Sequence, residues 1–251
     1  MVWRCWGDGP PLVLLHGAFG SWLHWVGNID GLARHFRVLA ADMPGYGASA
    51  MPPEPYTAES LAEIMANGVR ALFGDAPFHL AGFSLGGILG GIVAAKLGRQ
   101  CETLILISPN GLALPFPPTA PMTRPTPEMS DAERDETIRQ NLLVLMLAAP
   151  DSADALAVRI HLENARLARA KSGSIPGSDA LLRALPNVTA SIGAVYGTKD
   201  AFCGPYLDDR ERILRGFRPH MDFRRIDGAG HWLPYERPRE VEAAIVELAS
   251  A

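Results

Sequence analysis

The stretch FHLAGFSLGGILGG, residues 78–91, places a hydroxyl at the tip of an apolar run and surrounds it with glycines. A strand-like run that passes through Gly82, Phe83, Ser84, Leu85 and Gly86 into a helical pattern is the strand, sharp turn and helix setting of a nucleophile elbow. Gly82 and Gly86 remove β-carbons that would collide across so tight a turn, leaving Ser84 strained with its oxygen presented. A helix N-terminus beneath it aims N–H groups at any oxyanion that develops there. The plainer reading is a turn serine among packing glycines; a G-x-S-x-G match alone is weak, and the setting carries the argument.

A serine hydroxyl needs a base to remove its proton and an acid to orient that base. Of seven histidines, His231 in DGAGHW follows the last strand-like run on a glycine-rich loop. His161 falls within a helical pattern, His35 and His220 in polar connections, His24 between tryptophans, and His79 inside a strand-like run. For the acid, AVYGTKD delivers Asp200 just after an apolar run. Asp227 is a rival four residues before His231, a spacing that suits a turn-former better. Ser84, His231 and Asp200 are therefore the candidate nucleophile, base and orienting acid of an activated serine. No metal or organic cofactor is required.

These residues must be carried by elements. PLVLLHG (11–17), FRVLAADMPG (36–45), FHLAGFS (78–84), TLILISP (103–109), SIGAVYGTKD (191–200) and DFRRIDGAGH (222–231) read as strands. Helical patterns over 57–73, 84–98, 207–217 and 238–250 alternate with them, predicting an α/β fold: a mostly parallel sheet with helices on both faces. The polar strand ends then gather on one rim. Gly87, Gly90 and Gly91 would let the helix after Ser84 approach the sheet closely. Residues 110–187 break the rhythm. PFPPTAPMTRPTP (115–127) holds six prolines in thirteen residues, which excludes helix or central strand. Helical patterns follow from 130, where Ser130 and Glu133 fit a capping box, and from 151. The expectation is a core of 1–109 and 188–251 and a helical lid, 110–187, inserted between two sheet strands.

Composition excludes several roles. A chain of 251 residues, 48% apolar, can bury a sizeable core. A net charge of −4 without a basic stripe argues against nucleic acid. Cys5, Cys101 and Cys203 lack disulfide or zinc spacing and read as reduced thiols. MVWRCWGDGPP has no basic region followed by a long apolar run, and no segment reaches 18 uninterrupted apolar residues, so the expectation is a cytoplasmic, soluble protein.

LLHGAFGSW (14–22), DMPGYGAS (42–49), GFSLGG (82–87), YGTKD (196–200) and GAGHWLPYERP (228–238), in this order, resemble the α/β-hydrolase superfamily, in its lid-bearing serine esterase and carbon–carbon hydrolase branch. The resemblance implies nucleophile, acid and base in the order Ser84, Asp200, His231. It also implies an oxyanion hole from the backbone N–H groups of Ala18 and Leu85, and a bracing role for His16. With six residues before Gly7, first strands shortened or partly absent relative to the family's opening hairpin are expected. Phe19, Phe83 and Trp232 are candidate substrate contacts among the apolar lining, suiting a small to medium apolar ester. The alternative is carbon–carbon bond hydrolysis of a vinylogous diketone acid, whose carboxylate Arg159 or Arg166 would hold. A silent scaffold used as a receptor is a third reading, and the intact Ser84, Asp200, His231 set argues against it.

Overall fold

The computed structural model describes residues 1–250. Their strands are β1 (Val2–Trp6), β2 (Pro11–Leu15), β3 (Arg37–Asp42), β4 (Phe78–Phe83), β5 (Cys101–Ile107), β6 (Ser191–Gly197) and β7 (Asp222–Ile226). They form one sheet in the order β1-β3-β2-β4-β5-β6-β7. Every pairing is parallel except that of β1 with β3. The six strands read from sequence are present; β1, the antiparallel edge, is an addition.

The α-helices of the described residues are α1 (Ile29–Leu32), α2 (Ala58–Phe73), α3 (Leu85–Leu97), α4 (Asp131–Leu145), α5 (Ala155–Leu167), α6 (Ala180–Ala184), α7 (Leu207–Phe217), α8 (Leu233–Glu236) and α9 (Pro238–Ala249). Side chains alternate across the pleat, so β2 sends Val13 and Leu15 into one buried cluster and Leu12 and Leu14 into the other. The first cluster lies under α2, α3 and α7; the second lies under α1 and α9. Central strands covered on both faces read as unbroken apolar runs, which is why β4 is buried from end to end. Thr57 caps α2 with Ser60 at N3, and Ser130 with Glu133 forms the expected capping box on α4.

The chain between β5 and β6 divides in two. Residues 112–127 have no helix or strand, as six prolines require, and are pinned to α4 by Asn141, which donates to Thr123 O and accepts from its N–H. Helices α4 and α5 pack on each other and send Ile138, Leu142, Ala157 and Ile160 into the second cluster. By contrast α6 lies on α3 in the first cluster, beneath the sheet's other face. A β-carbon on Gly91 would stand 2.3 Å from Leu181 Cδ1, so Gly91 admits α6, whereas Gly90 faces Leu80 of the sheet. The close approach expected of this glycine run thus serves two different neighbours. Cys101 and Cys203 are buried and Cys5 is exposed.

Candidate active site

The sheet places four loop starts on one rim, and each loop is shaped by its own local contacts. Ser84 follows β4 and caps α3 with φ 52° and ψ −116°, in the left-handed region that disfavours every residue but glycine. The strain is held by Ser84 N–H to Ile107 O (2.8 Å) and Gly87 N–H to Ser84 O (2.9 Å). A β-carbon on Gly82 would stand 2.4 Å from Gly86 O, and one on Gly86 2.4 Å from Leu15 O. The turn therefore admits no side chain at either position, as expected.

His231 is buried, and its ring bridges two partners. Nδ1 lies 2.8 Å from Asp200 Oδ2 and Nε2 lies 3.0 Å from Ser84 Oγ. With Nδ1–H donating to the carboxylate, Nε2 is left as acceptor for the hydroxyl, the geometry of a base beside its acid. Asp200 Oδ1 accepts from the N–H groups of Phe202 (2.8 Å) and Cys203 (3.0 Å). Burial alone would raise the Asp200 pKa, but the His231 ring, and after it the Phe202 amide and the Ser108 hydroxyl, outweigh it and hold the carboxyl below its usual range. Asp200 therefore stays ionised while buried. Asp227, the rival, accepts from Thr198 Oγ1 on an exposed turn.

Cys203 Sγ lies with the Asp200 and His231 ligand atoms within 4.8 Å. Burial, and next the Asp200 charge, push this thiol well above its ordinary pKa, so it stands protonated behind the acid. Sequence reasoning missed it because nothing in CGPY marks a contact with a carboxylate.

The loop after β2 faces Ser84. Gly20 N–H closes a turn onto Gly17 O (3.2 Å), Phe19 sits at φ 54°, and a β-carbon on Gly17 would stand 3.3 Å from Ser84 Cβ. Ala18 is half-buried in this turn, and Leu85 is the first residue of α3, where N–H groups have no intrahelical acceptor. His16 braces the loop: Nδ1–H donates to Gly17 O (2.7 Å) and Nε2 accepts Met43 N–H (3.0 Å). Burial depresses its pKa to about 4 and also lowers that of His24, which accepts Gly17 N–H at 3.2 Å. Nothing in the sequence around His24 marks it for this contact.

The expected substrate contacts separate. Phe19 is 55% exposed beside Ala18. Phe83 is fully buried, its ring centroid 5.1 Å from that of His231 and 5.5 Å from that of His24, and Trp232 is buried with Nε1–H donating to His24 O (3.0 Å). Both offer a substrate no surface; they wedge the histidines, because strand β4 and the His231 loop turn those side chains inward. Arg159 and Arg166 are exposed on α5, Arg166 pairing with Glu163, so neither is a buried carboxylate clamp. Phe202 is better placed: it stacks edge-on against His231 at 4.7 Å, and Phe116 of the proline-rich arm stacks on Phe202 at 5.9 Å. A cavity of about 390 Å³ lies between residues 143–148, Lys199, Gly230 and His231.

A family model described as "Alpha/beta hydrolase family" matches residues 12–244. A pimeloyl-[acyl-carrier protein] methyl ester esterase of Vibrio campbellii is 35% identical over 42% of this chain and 39% of its own length. A 2-hydroxy-6-oxo-6-(2'-aminophenyl)hexa-2,4-dienoic acid hydrolase of Metapseudomonas resinovorans is 32% identical over 43% of this chain and 38% of its own. The chain thus spans about two fifths of the length of these curated relatives. A solved meta-cleavage product hydrolase from Pseudomonas fluorescens superposes over 99% of this chain and 93% of its own with a TM-score of 0.77 at 18% identity, a likeness of fold.

Proposed function

The chain belongs to the alpha/beta hydrolase family, and on that footing we propose that it is a serine hydrolase that cleaves small to medium, largely apolar carboxylic esters through an acyl-enzyme. The observation that carries the reading is the unbroken path from Ser84 Oγ through His231 to Asp200, at 3.0 and 2.8 Å. In this mechanism His231 Nε2 takes the Ser84 proton as Oγ attacks the carbonyl carbon, and Asp200 stabilises the imidazolium. The N–H groups of Ala18 and Leu85 receive the negative oxygen; donors of this kind, when they are removable side chains, are worth about 3 to 4 kcal/mol each. His231 then protonates the departing alkoxide, and the second half repeats the steps with water as nucleophile.

Residues 110–174 act as the lid, with 175–187 left to the core because Ile175–Gly177 and α6 both pack on α3. Phe116 and Phe202 supply an apolar approach to the ring of His231. Phe19, exposed beside the oxyanion loop, is the apolar contact retained from the sequence. The reading has the protein working as a soluble, cytoplasmic enzyme, and no helix among the described residues is long and apolar enough to cross a membrane. Carbon–carbon hydrolysis is the second reading, favoured by the likeness to the dienoic acid hydrolase; its carboxylate clamp would have to come from Arg159 or Arg166, both exposed on α5.

The test compares wild type with Ser84→Ala on p-nitrophenyl butyrate. A pre-steady-state burst in wild type, and turnover at least a thousandfold lower in the variant at unchanged melting temperature, is the expected result. Equal turnover in both proteins refutes the assignment. Poor ester turnover with rapid bleaching of a coloured dienoate selects the second reading.

A further inference from the structure

Glu236, the last residue of α8, is buried, and its carboxylate is filled by main-chain donors. Gly230 N–H donates to Oε2 at 2.5 Å, while Ala148 N–H and Ala149 N–H donate to Oε1 at 2.9 and 2.6 Å. Beside them Trp232 N–H donates to Met146 O at 2.7 Å. A β-carbon on Gly230 would stand 2.7 Å from Ala148 N and 2.9 Å from Met146 O, so the two chains meet backbone to backbone. The residues immediately before and after His231 are thus both fastened to 146–149, the connection between α4 and α5.

We propose that Glu236 is a positioning residue for His231, and that residues 146–149 are a fixed support of the imidazole rather than a moving part of the lid. The proposal rests on the reading of His231 as the base. Only a carboxylate suits the position: it accepts three N–H groups and offers no donor, whereas an amide would set its own N–H₂ against one of them. Bonds from an anion to main-chain N–H are strong because one partner carries full charge, and burial strengthens them further. Any lid motion then leaves the far end of α4 attached to the site.

The experiment uses wild type, Glu236→Gln, Ala149→Pro and the double variant with p-nitrophenyl butyrate, active sites being counted with a fluorophosphonate. Ala149 has φ −89° and ψ 125°, about 24° from the φ that proline fixes, so Ala149→Pro deletes one N–H with a small backbone adjustment while leaving the carboxylate in place. Glu236→Gln is expected to lower kcat per titrated site about tenfold or more with KM changed less than twofold, as a displaced base does. Ala149→Pro should lower kcat less, and the double variant should be no worse than Glu236→Gln, since both cut the same link. Glu236→Gln with kcat per site within twofold of wild type, any loss being confined to melting temperature, overturns the proposal. So do fully additive effects. A wild type that neither titrates nor turns over sinks the hydrolase reading and this inference together; one that titrates beside an unimpaired Glu236→Gln sinks the inference alone.

Discussion

Gly86→Ala adds a single methyl where the structure has no room. Its β-carbon would stand 2.4 Å from Leu15 O and 2.6 Å from His16 O, against an ordinary contact that begins at 3.4 Å. About 1 Å must therefore be found by moving main chain, since close-packed interiors give little elsewhere. Either side that yields belongs to the site: the first turn of α3 carries Ser84 and Leu85, and the end of β2 leads into the Ala18 turn. A misplacement of about 1 Å costs about 100-fold in rate, or about 2.7 kcal/mol of barrier. Overpacking should lower stability by about 1–3 kcal/mol. Helix propensity alone predicts the opposite sign, a gain of up to about 1 kcal/mol for alanine over glycine. The assay is kcat per titrated site on p-nitrophenyl butyrate, with a thermal melt of the same sample. A variant with kcat within twofold of wild type and an unchanged or raised melting temperature would refute the claim that this contact sets the serine.

Other parts of the fold give further expected outcomes. Gly216 in α7 has nothing within 4 Å of the place an alanine methyl would take, so Gly216→Ala should stabilise by about 0.5–1 kcal/mol in a denaturant titration; destabilisation would show an unsuspected neighbour. His16 has its folded pKa lowered to about 4 from an unfolded 6.5. The unfolded state therefore binds more protons between these values, so stability is full above about 6.5 and falls as pH drops toward 4, by about 3 kcal/mol at 1.36 kcal/mol per unit. His24 adds to the same fall, and Asp200, depressed below 3.8, contributes only to losses at lower pH. A lower denaturation midpoint at pH 5 than at pH 7, with the gap reduced in His16→Asn, is the expected pattern; equal midpoints in wild type would contradict neutral burial.

Much of this architecture could be read from letters because the signals are local. Both faces of β4 are covered, so FHLAGF shows as an unbroken apolar run, and Ser84 follows it at once. Asp200 outranked Asp227 because a strand end differs from a turn in its flanking residues, and the hydrogen bonds to His231 and Thr198 divide the two acids in that sense. Strand β1 escaped notice because VWRCW is short, half-buried and paired antiparallel at an edge, where neither an apolar run nor clean alternation is imposed. Helix α6 has five residues, too few for a helical period to emerge. The inward turn of Phe83 and Trp232 could not be foreseen, since an aromatic residue at a site looks the same whether it meets a ligand or wedges a histidine. Glu236 was hidden for a different reason: its partners are main-chain N–H groups, which every residue but proline possesses and no letter marks.

Strands β5 and β6 lie side by side in the sheet although 83 residues separate Ile107 from Ser191. Their ladder does not depend on how long the path between them is, and the entropy of closing a flexible path rises only logarithmically, by about 0.6 kcal/mol for each doubling. Lengthening the exposed parts of that detour is therefore cheap, whereas removing α4 or α5 would also strip Ile138, Leu142, Ala157 and Ile160 from the second cluster. On the proposed reading, the residues that break the bond sit at the strand ends and those that select the substrate sit in the passage between β5 and β6, so the second set can be revised without rewriting the first.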